Sequence, residues 1–542
     1  MVFISHKIGI ICLPLWPYMM KMKATHRNLN FKETAEHLHV SESTIHNWVK
    51  EGFLILDEQR LVTQKSIRKL LSRQTGKQKL QARANKLFKD PHNDHKVRQQ
   101  LESLMASLST DALSHGYETL LAESFKNKEG IFYTPMDIVG DMMKTIEILP
   151  SSSFLDPCCG SGNFLVKAIM MGVRPENLYG FDTDANAVMI AQRRVRELTG
   201  KEAAHVVCAD FLQECPKLDA KFDFVFTNPP WGKKLHKQKR LDYARQYQAG
   251  NSTDTCSLFL FAILSKLRDD GVAGLLMPES FYNIAVYEDA RKTLLDQTVL
   301  SIKDYGKPFK NMYSAVAFQF KKRTKKDQNP VVCQTGGQCY SRLQESFQGM
   351  PRHNLNYWTS PEEMWRLNEL MSHPYVTLKS HATWGLGIVT GNNAKMCKRT
   401  YHKGLKPVYR GKDLLPGKLR KASLYVNPND FSRYQQMASL ELYHAPEKLI
   451  YRFISSNLVF VCDTEQRLIL NSANMLVLEE DFPLTAKQVE ELMNSPLTNW
   501  LFRQLFHTHK VLRGDLEILP LFTDLSLHRR FNLLDLDGQS LK

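Results

Sequence analysis

The sequence predicts an α/β protein built on a doubly wound parallel sheet, with a helical pair before it and a region of mixed strands and helices after it. Three observations carry that expectation. From Ser153 onward, short apolar runs end in acidic or polar residues: SFLDP, LYGFDTD, HVVCADF, FDFVFTNPP and VAGLLMPESF. Stretches of helical period separate them, notably Asn186 to Leu198 and Cys256 to Leu267. The chain has 542 residues, too many for one core, so about three or four domains are expected.

The elements follow in chain order. Ile8 to Met20 is apolar, but Pro14 and Pro17 interrupt it, no small-residue cleavage site follows, and it is too short to span a bilayer. Residues 1–26 are read as a tail, with Met19, Met20 and Met22 as alternative starts. Residues 27–72 read as a helix-turn-helix. FKETAEHL forms the first helix, His39 and Val40 the turn, and Ser41 the N-cap of STIHNWVKEG. Ala35, Leu38, Val40, Ile45, Trp48 and Val49 are its expected core, with Ser43, Thr44, His46 and Asn47 facing outward. The pattern is similar to the small units of the excisionase and MerR groups, which implies a second helix that enters a DNA groove. A protein-docking helical pair has the same signature. Residues 73–129 read as helical and basic, residues 130–330 as the sheet domain, and residues 338–530 as the mixed α/β region. The basic run KKRTKKDQNP, Lys321 to Pro330, is expected to close the sheet domain as a linker or exposed hairpin.

Charge points to a polyanionic partner. Lys and Arg total 72 against 56 Asp and Glu, leaving +16, and the excess is clustered. Lys65 to Arg98 holds eleven basic residues, Gly232 to Arg245 six and Lys398 to Lys421 nine. Any one block reads equally well as a solvated face, but three beside candidate binding elements favour nucleic acid. The ten cysteines form no CxxC pair. A zinc site or disulfide framework is therefore not expected, and a reducing cytoplasm fits. No metal and no membrane partner are expected.

The segment FLDPCCGSGNFL, Phe154 to Leu165, reads as strand, glycine turn and helix start. Gly160 and Gly162 allow a ligand close to the backbone. Asp182 follows Gly162 by twenty residues at the end of the next strand, where a carboxylate can take two ribose hydroxyls. The third strand ends in Asp210-Phe211, a pair able to accept from an adenine amino group and to pack on its ring. A full GxGxxG turn, expected around a pyrophosphate, is missing. S-adenosylmethionine, which has an adenosine and no phosphates, fits that departure. Upstream, GIFYTP (Gly130 to Pro135) can return a loop over the methionine end.

Asn228, Pro229, Pro230 and Trp231 end the strand FDFVFT. Two prolines there demand a rigid backbone. The Asn228 side-chain oxygen and the Pro229 carbonyl can both accept from one amino group. Held this way, the nitrogen is drawn toward tetrahedral geometry and its lone pair is localised for attack on a sulfonium methyl. Trp231 can stack on a flat base rotated out of a duplex.

Together the series GIFYTP, DPCCGSGNFL, GFDTDA, ADF and NPPW resembles the amino-group DNA methyltransferases, in the motif order of their gamma class. GYETLLAESFKNKEGIFYTP is similar to the modification subunits of type I restriction systems. The resemblance implies a Rossmann-like, S-adenosylmethionine-dependent methyltransferase fold acting on the N6 amino group of adenine in double-stranded DNA. It implies that Tyr133, Thr134, Asp156, Gly160, Gly162, Asp182, Asp210 and Phe211 line the cofactor site. It gives Asn228, Pro229, Pro230 and Trp231 the target amino group and base. Where the family more often has Tyr or Phe, this chain has Trp231, which keeps stacking and loses any hydroxyl role. GKPFKNMYSAVAFQF, Gly306 to Phe320, is similar to the motif that supplies a second aromatic, here Phe309. Lys233 and Lys234 follow the catalytic motif and are placed with the DNA-contacting residues.

Beyond Thr383, WGLGIVTGNNAKM, PVYRGKDLL, KLIYRFIS and LILNSANMLVL resemble the target-recognition domain of TaqI-like enzymes. There Gly385, Gly387, Gly391 and Gly411 are expected to permit close backbone approach, and Arg410, Lys412 and Arg452 to contact phosphates or bases. The resulting reading is a site-specific adenine methyltransferase with its own recognition region, beside a separate restriction endonuclease. Three alternatives stay open: a modification subunit needing a specificity partner, a methyltransferase of RNA adenine or protein glutamine, and a DNA-binding regulator without catalysis.

Overall fold

The computed structural model describes residues 28–38, 42–50, 54–71, 116–118, 132–232, 235–309, 314–324 and 328–536. The chain divides into two compact units, residues 1–127 and 128–542. The expected tail and most of the basic stretch 73–129 lie outside the described residues.

In the first unit, helices α1 (Phe31–Leu38) and α2 (Glu42–Lys50) pack together, followed by α3 (Gln64–Leu71). Ala35, Leu38, Ile45 and Trp48 are buried as their spacing requires, and Val49 is partly buried against them. The sequence reading missed Leu29, Leu54, Val62 and Ile67, which complete this core. Val62 bridges to both Leu29 and Leu56, so a short extended pairing closes the unit beneath the helices. His46 is exposed and stacks on Phe31 at 4.2 Å. Val40 lies outside the described residues, as do the side chains of Ser43, Thr44 and Asn47.

The second unit is organised by a nine-stranded sheet of order β3-β2-β1-β4-β5-β7-β6-β8-β9. Strands β1 (Phe154–Asp156), β2 (Leu178–Asp182), β3 (His205–Cys208), β4 (Phe222–Thr227) and β5 (Leu267–Pro278) run parallel. These are the five expected apolar runs, hydrophobic because helices cover them. Among the connecting helices, α4 (Met136–Met143) precedes β1 and α5 (Asn163–Met170) follows it. α6 (Ala185–Thr199) starts at Asp184, whose carboxylate accepts from the amides of Asn186 and Ala187, and stops at Gly200 in a left-handed conformation. Asp210 caps the short α7 (Phe211–Glu214). Next come α8 (Lys237–Gln246), α9 (Thr255–Lys266, capped by Asp254) and α10 (Glu288–Leu295).

Two expectations need correction. The sheet is mixed rather than wholly parallel: β7 (Ala315–Thr324) inserts antiparallel between β5 and β6 (Gln297–Asp304). The run 321–330 does not close the domain either. Its first residues finish β7, and the chain then crosses to β8 (Pro330–Thr335), parallel to β6, before turning back as β9 (Gln338–Leu343). Val331 and Cys333 are buried, so these strands extend the same core, which continues to Leu355 and Tyr357.

The C-terminal part builds an antiparallel four-stranded sheet, in the order Ala382–Leu386, Ala473–Leu478, Lys448–Arg452, Phe460–Asp463. Alternation puts Leu449, Tyr451 and Leu476 on one face, against α12 (Ala486–Asn494) and α13 (Pro496–Phe506); α11 (Pro361–Met371) joins that core. Ile450, Val461 and Met475 on the other face pack against the small sheet that contains Lys406–Tyr409. Among the described residues no helix is long and apolar enough to cross a membrane.

Candidate active site

The chain runs from β1 outward to β2 and β3, then returns to place β4 on the other side of β1. This reversal is the switch point in strand order, and in sheets of this kind the crevice that binds ligands lies there, at the carboxyl ends of β1 and β4. Asp156 ends β1 and Asn228 follows β4 directly. The turn after β1 is held from two sides. The Asp182 carboxylate accepts from the Gly160 amide at 2.9 Å and from the Asp184 amide at 2.9 Å. Gly162 has φ +89°, and a Cβ there would lie 3.0 Å from that of Ala191 on α6, so glycine serves helix packing as well as the turn. Tyr133 lies over the same turn, with its ring 3.2 Å from where a Gly160 Cβ would be.

Asn228 Oδ1 is buried here with no hydrogen-bond partner among the described residues, and the Thr227 hydroxyl lies against the buried Asp156 carboxyl. Asp156 Oδ1 accepts from the Cys158 amide at 3.1 Å. Burial pushes the Asp156 carboxyl up to about 7, and the nearby Asp182 charge pushes the same way. The Asn228 amide nitrogen donates to the Phe132 carbonyl at 2.7 Å, which fixes the amide plane and leaves its oxygen as a pure acceptor. Phe132, Trp231 and Phe309 surround this point, with ring centroids 5.2 to 5.4 Å apart. The Trp231 indole nitrogen donates to the Leu276 carbonyl at 3.2 Å, so the ring is anchored at one end. Phe309 lies edge-on to Trp231, with ring centroids 5.4 Å apart. Phe132, next to Tyr133 in GIFYTP, was not singled out in the sequence, although the same motif contained it.

Residues 108–332 match the N-6 DNA methylase family, and residues 406–521 match the TaqI-like C-terminal specificity domain. The Type II methyltransferase M.VspI of Vibrio sp. (strain 343) is 37% identical over 393 residues, covering 71% of this chain and 96% of that protein. The chain belongs to the N-6 DNA methylase family. It is an adenine-specific DNA methyltransferase, and its reaction uses a methyl donor. Two solved structures share the fold at low identity. The Type IIL restriction-modification enzyme MmeI in complex with DNA has TM-score 0.50 and 10% identity, over 76% of this chain and 71% of that one. The DrdV–DNA complex has TM-score 0.50 and 12% identity, over 96% and 70%.

In this N-6 DNA methylase, Phe211 is buried between Phe181 and Phe259, at centroid distances of 5.3 and 6.1 Å. Its ring is part of the floor rather than an open wall. Thr134 is buried, and its carbonyl accepts from Asn163 at 2.8 Å. The buried Arg194 donates to the Asn163 side-chain oxygen at 2.7 Å and to the Ser161 carbonyl at 2.9 Å. GIFYTP is thereby tied to the glycine turn through α6. No sequence motif marked Asn163 or Arg194 for this role.

The methylase's C-terminal residues separate into two kinds. Arg410 is not a free cation: its guanidinium pairs with Asp413 through two bonds of 2.9 and 3.1 Å and reaches Ser423. Arg452 donates to the carbonyls of Gly411 and Leu414 at 3.0 and 2.6 Å. Lys412, between these anchored residues, is exposed. The close approach permitted by Gly387 and Gly411 is to the protein itself, because a Cβ would come 2.4 Å from Leu470 O and 2.3 Å from Ser472 O. Lys233 and Lys234 lie outside the described residues.

Proposed function

We propose that the chain transfers the methyl group of S-adenosylmethionine to the N6 amino group of an adenine rotated out of duplex DNA. The C-terminal region reads the site, and the partner in the cell is a separate restriction endonuclease. The observation that carries this reading is the Asn228 amide: its nitrogen is committed to Phe132 and its oxygen is buried and unpartnered. A buried acceptor without a donor is costly, and an incoming amino group relieves it.

The residues present fit the cofactor. Asp156 offers a buried carboxyl to a cationic group, and Asp182 stands at the end of β2 for a ribose. When bound, S-adenosylmethionine supplies an electrophilic methyl carbon. The chain's own residues supply position: Asn228 Oδ1 and the Pro229 carbonyl accept the two amino hydrogens and turn the nitrogen lone pair toward the crevice. Phe132, Trp231 and Phe309 receive the base and exclude water. The amino nitrogen takes the methyl carbon as that carbon's bond to sulfur breaks, with the electron pair leaving on the thioether; the nitrogen then gives up a proton that reaches solvent, and no side chain acts as nucleophile. Catalysis falls to the nine-stranded sheet and its core, which runs on to Tyr357, and recognition to the sheets from Ala382 onward, with residues 27–72 as a further DNA-binding element. Cytoplasmic placement accords with the DNA substrate.

The test incubates full-length protein with labelled S-adenosylmethionine and plasmid DNA, followed by base-resolution mapping. Asn228→Ala should reduce transfer by 100-fold or more, on the order seen when one preorganised oxygen or donor is removed, while DNA affinity stays within about twofold of wild type. Retained transfer would overturn the reading. Transfer only after adding a second chain would make this a modification subunit.

A further inference from the structure

The helix that follows the catalytic motif is fastened to the cofactor side of the crevice through a single carboxylate. Asp210 Oδ1 accepts from the Leu212 amide at 3.1 Å as the cap of α7. Asp210 Oδ2 accepts from Lys239 Nζ at 2.9 Å and from the Tyr243 hydroxyl at 3.1 Å. Both donors come from α8, which is further held by the Tyr247 hydroxyl and the Gln246 amide on the Leu212 carbonyl, at 2.6 and 3.3 Å. A carboxylate oxygen has about two acceptor positions, so Oδ2 is full. The sequence expectation for the end of the third strand gives this carboxylate a different donor, the adenine amino group of the cofactor. Oδ1 keeps one position beside the Leu212 amide, and an amino group that arrives on the α8 side, at Oδ2, competes with Lys239.

Chemistry decides which partner yields. Tyr243 is 6% exposed and fixed in the core. The Lys239 side chain is 45% exposed on a flexible stem, and exposed ion pairs of this kind exchange readily. Lys237 and Arg245 are exposed on the same helix, and α8 begins six residues after Trp231. An ammonium released here stands near Lys237, six residues beyond the motif proposed to hold the target base, while Arg245 pairs with Asp242 on the same helix.

We propose that Lys239 is a DNA-phosphate contact held in reserve on Asp210 and released when the cofactor's adenine takes that carboxylate. Methyl-donor binding then strengthens DNA binding, and DNA strengthens donor binding by the same factor, as linkage demands. The inference rests on the proposed cofactor site.

The experiment uses full-length protein, a fluorescent duplex containing the methylated site, and S-adenosylhomocysteine as a probe that cannot transfer methyl. Wild type should bind the duplex about fivefold tighter with the probe. The slope of log affinity against log salt should steepen by about 0.9, equivalent to one added phosphate contact. Lys239→Gln should bind the probe more tightly than wild type in the absence of DNA, bind DNA alone much as wild type does, and show a coupling factor near one. Tyr243→Phe should keep the coupling, because Lys239 remains. Coupling that persists in Lys239→Gln, or weaker probe binding by that variant, overturns the exchange. If the probe fails to bind wild type, or Asp210→Asn leaves its affinity unchanged, the cofactor site itself is wrong and the exchange falls with it.

Discussion

Asp156 shows how one side chain records the chemistry of the crevice. Its carboxyl is buried and pushed up to about 7 by desolvation, against 3.8 for an ordinary Asp. The folded state thus binds the proton more tightly than the unfolded chain. The resulting stability is fully present below about pH 3.8 and is lost as pH rises toward 7, at about 1.4 kcal/mol per pH unit. Asp156→Asn should therefore flatten the fall in melting temperature between pH 5 and pH 7.5, measured by thermal denaturation of the free protein. An unchanged pH profile would show that another group, such as the buried Asp515, also raised to about 7, accounts for it. The sequence identified Asp156 by its place before the glycine turn. Its burial against Thr227 was not legible, because that depends on a strand that arrives about seventy residues later.

At the scale of elements, the last turn of α13 is the decisive contact. A helix leaves its final carbonyls without intrahelical partners, and here side chains that border the catalytic core take them. Gln504 O accepts from Asn356, Trp358 and Thr359, Leu505 O from Asn354, and Phe506 O from Asn283. The strap RHNLNYW supplies most of these donors by alternation, since Leu355 and Tyr357 point into the catalytic core between them. Asn354→Ala should strip one buried carbonyl of its donor and cost about 1–3 kcal/mol, read as a lower urea midpoint. No loss of stability would show the contact to be incidental. The five parallel strands and their helices were legible because each is a local apolar run with its own end signal. The antiparallel insertion of β7 was not, because AVAFQF reads the same in either direction. The strap was passed over for a similar reason: its alternation marks an extended segment without saying what its polar side faces.

Across the whole molecule, the excess of +16 is divided between charges that hold the fold and charges left to solvent. Lys448 is buried against Asp463 at 2.7 Å, and Arg410 and Arg452 brace the loop around Gly411. Composition counts these together with exposed Lys412. Arg410→Ala should lower the melting temperature, whereas Lys412→Ala should leave it unchanged, weaken DNA binding and reduce the salt slope by about 0.9. Equal effects on both readouts would erase the distinction. The pair Arg410–Asp413 was within reach of sequence, being three residues apart; it was passed over because an arginine in a glycine-rich loop suits DNA equally well. The capped end of α13 has one further consequence. Under the proposed function that joint links reading to chemistry, so the number of base pairs between the sequence read and the adenine altered follows from where it holds the two parts.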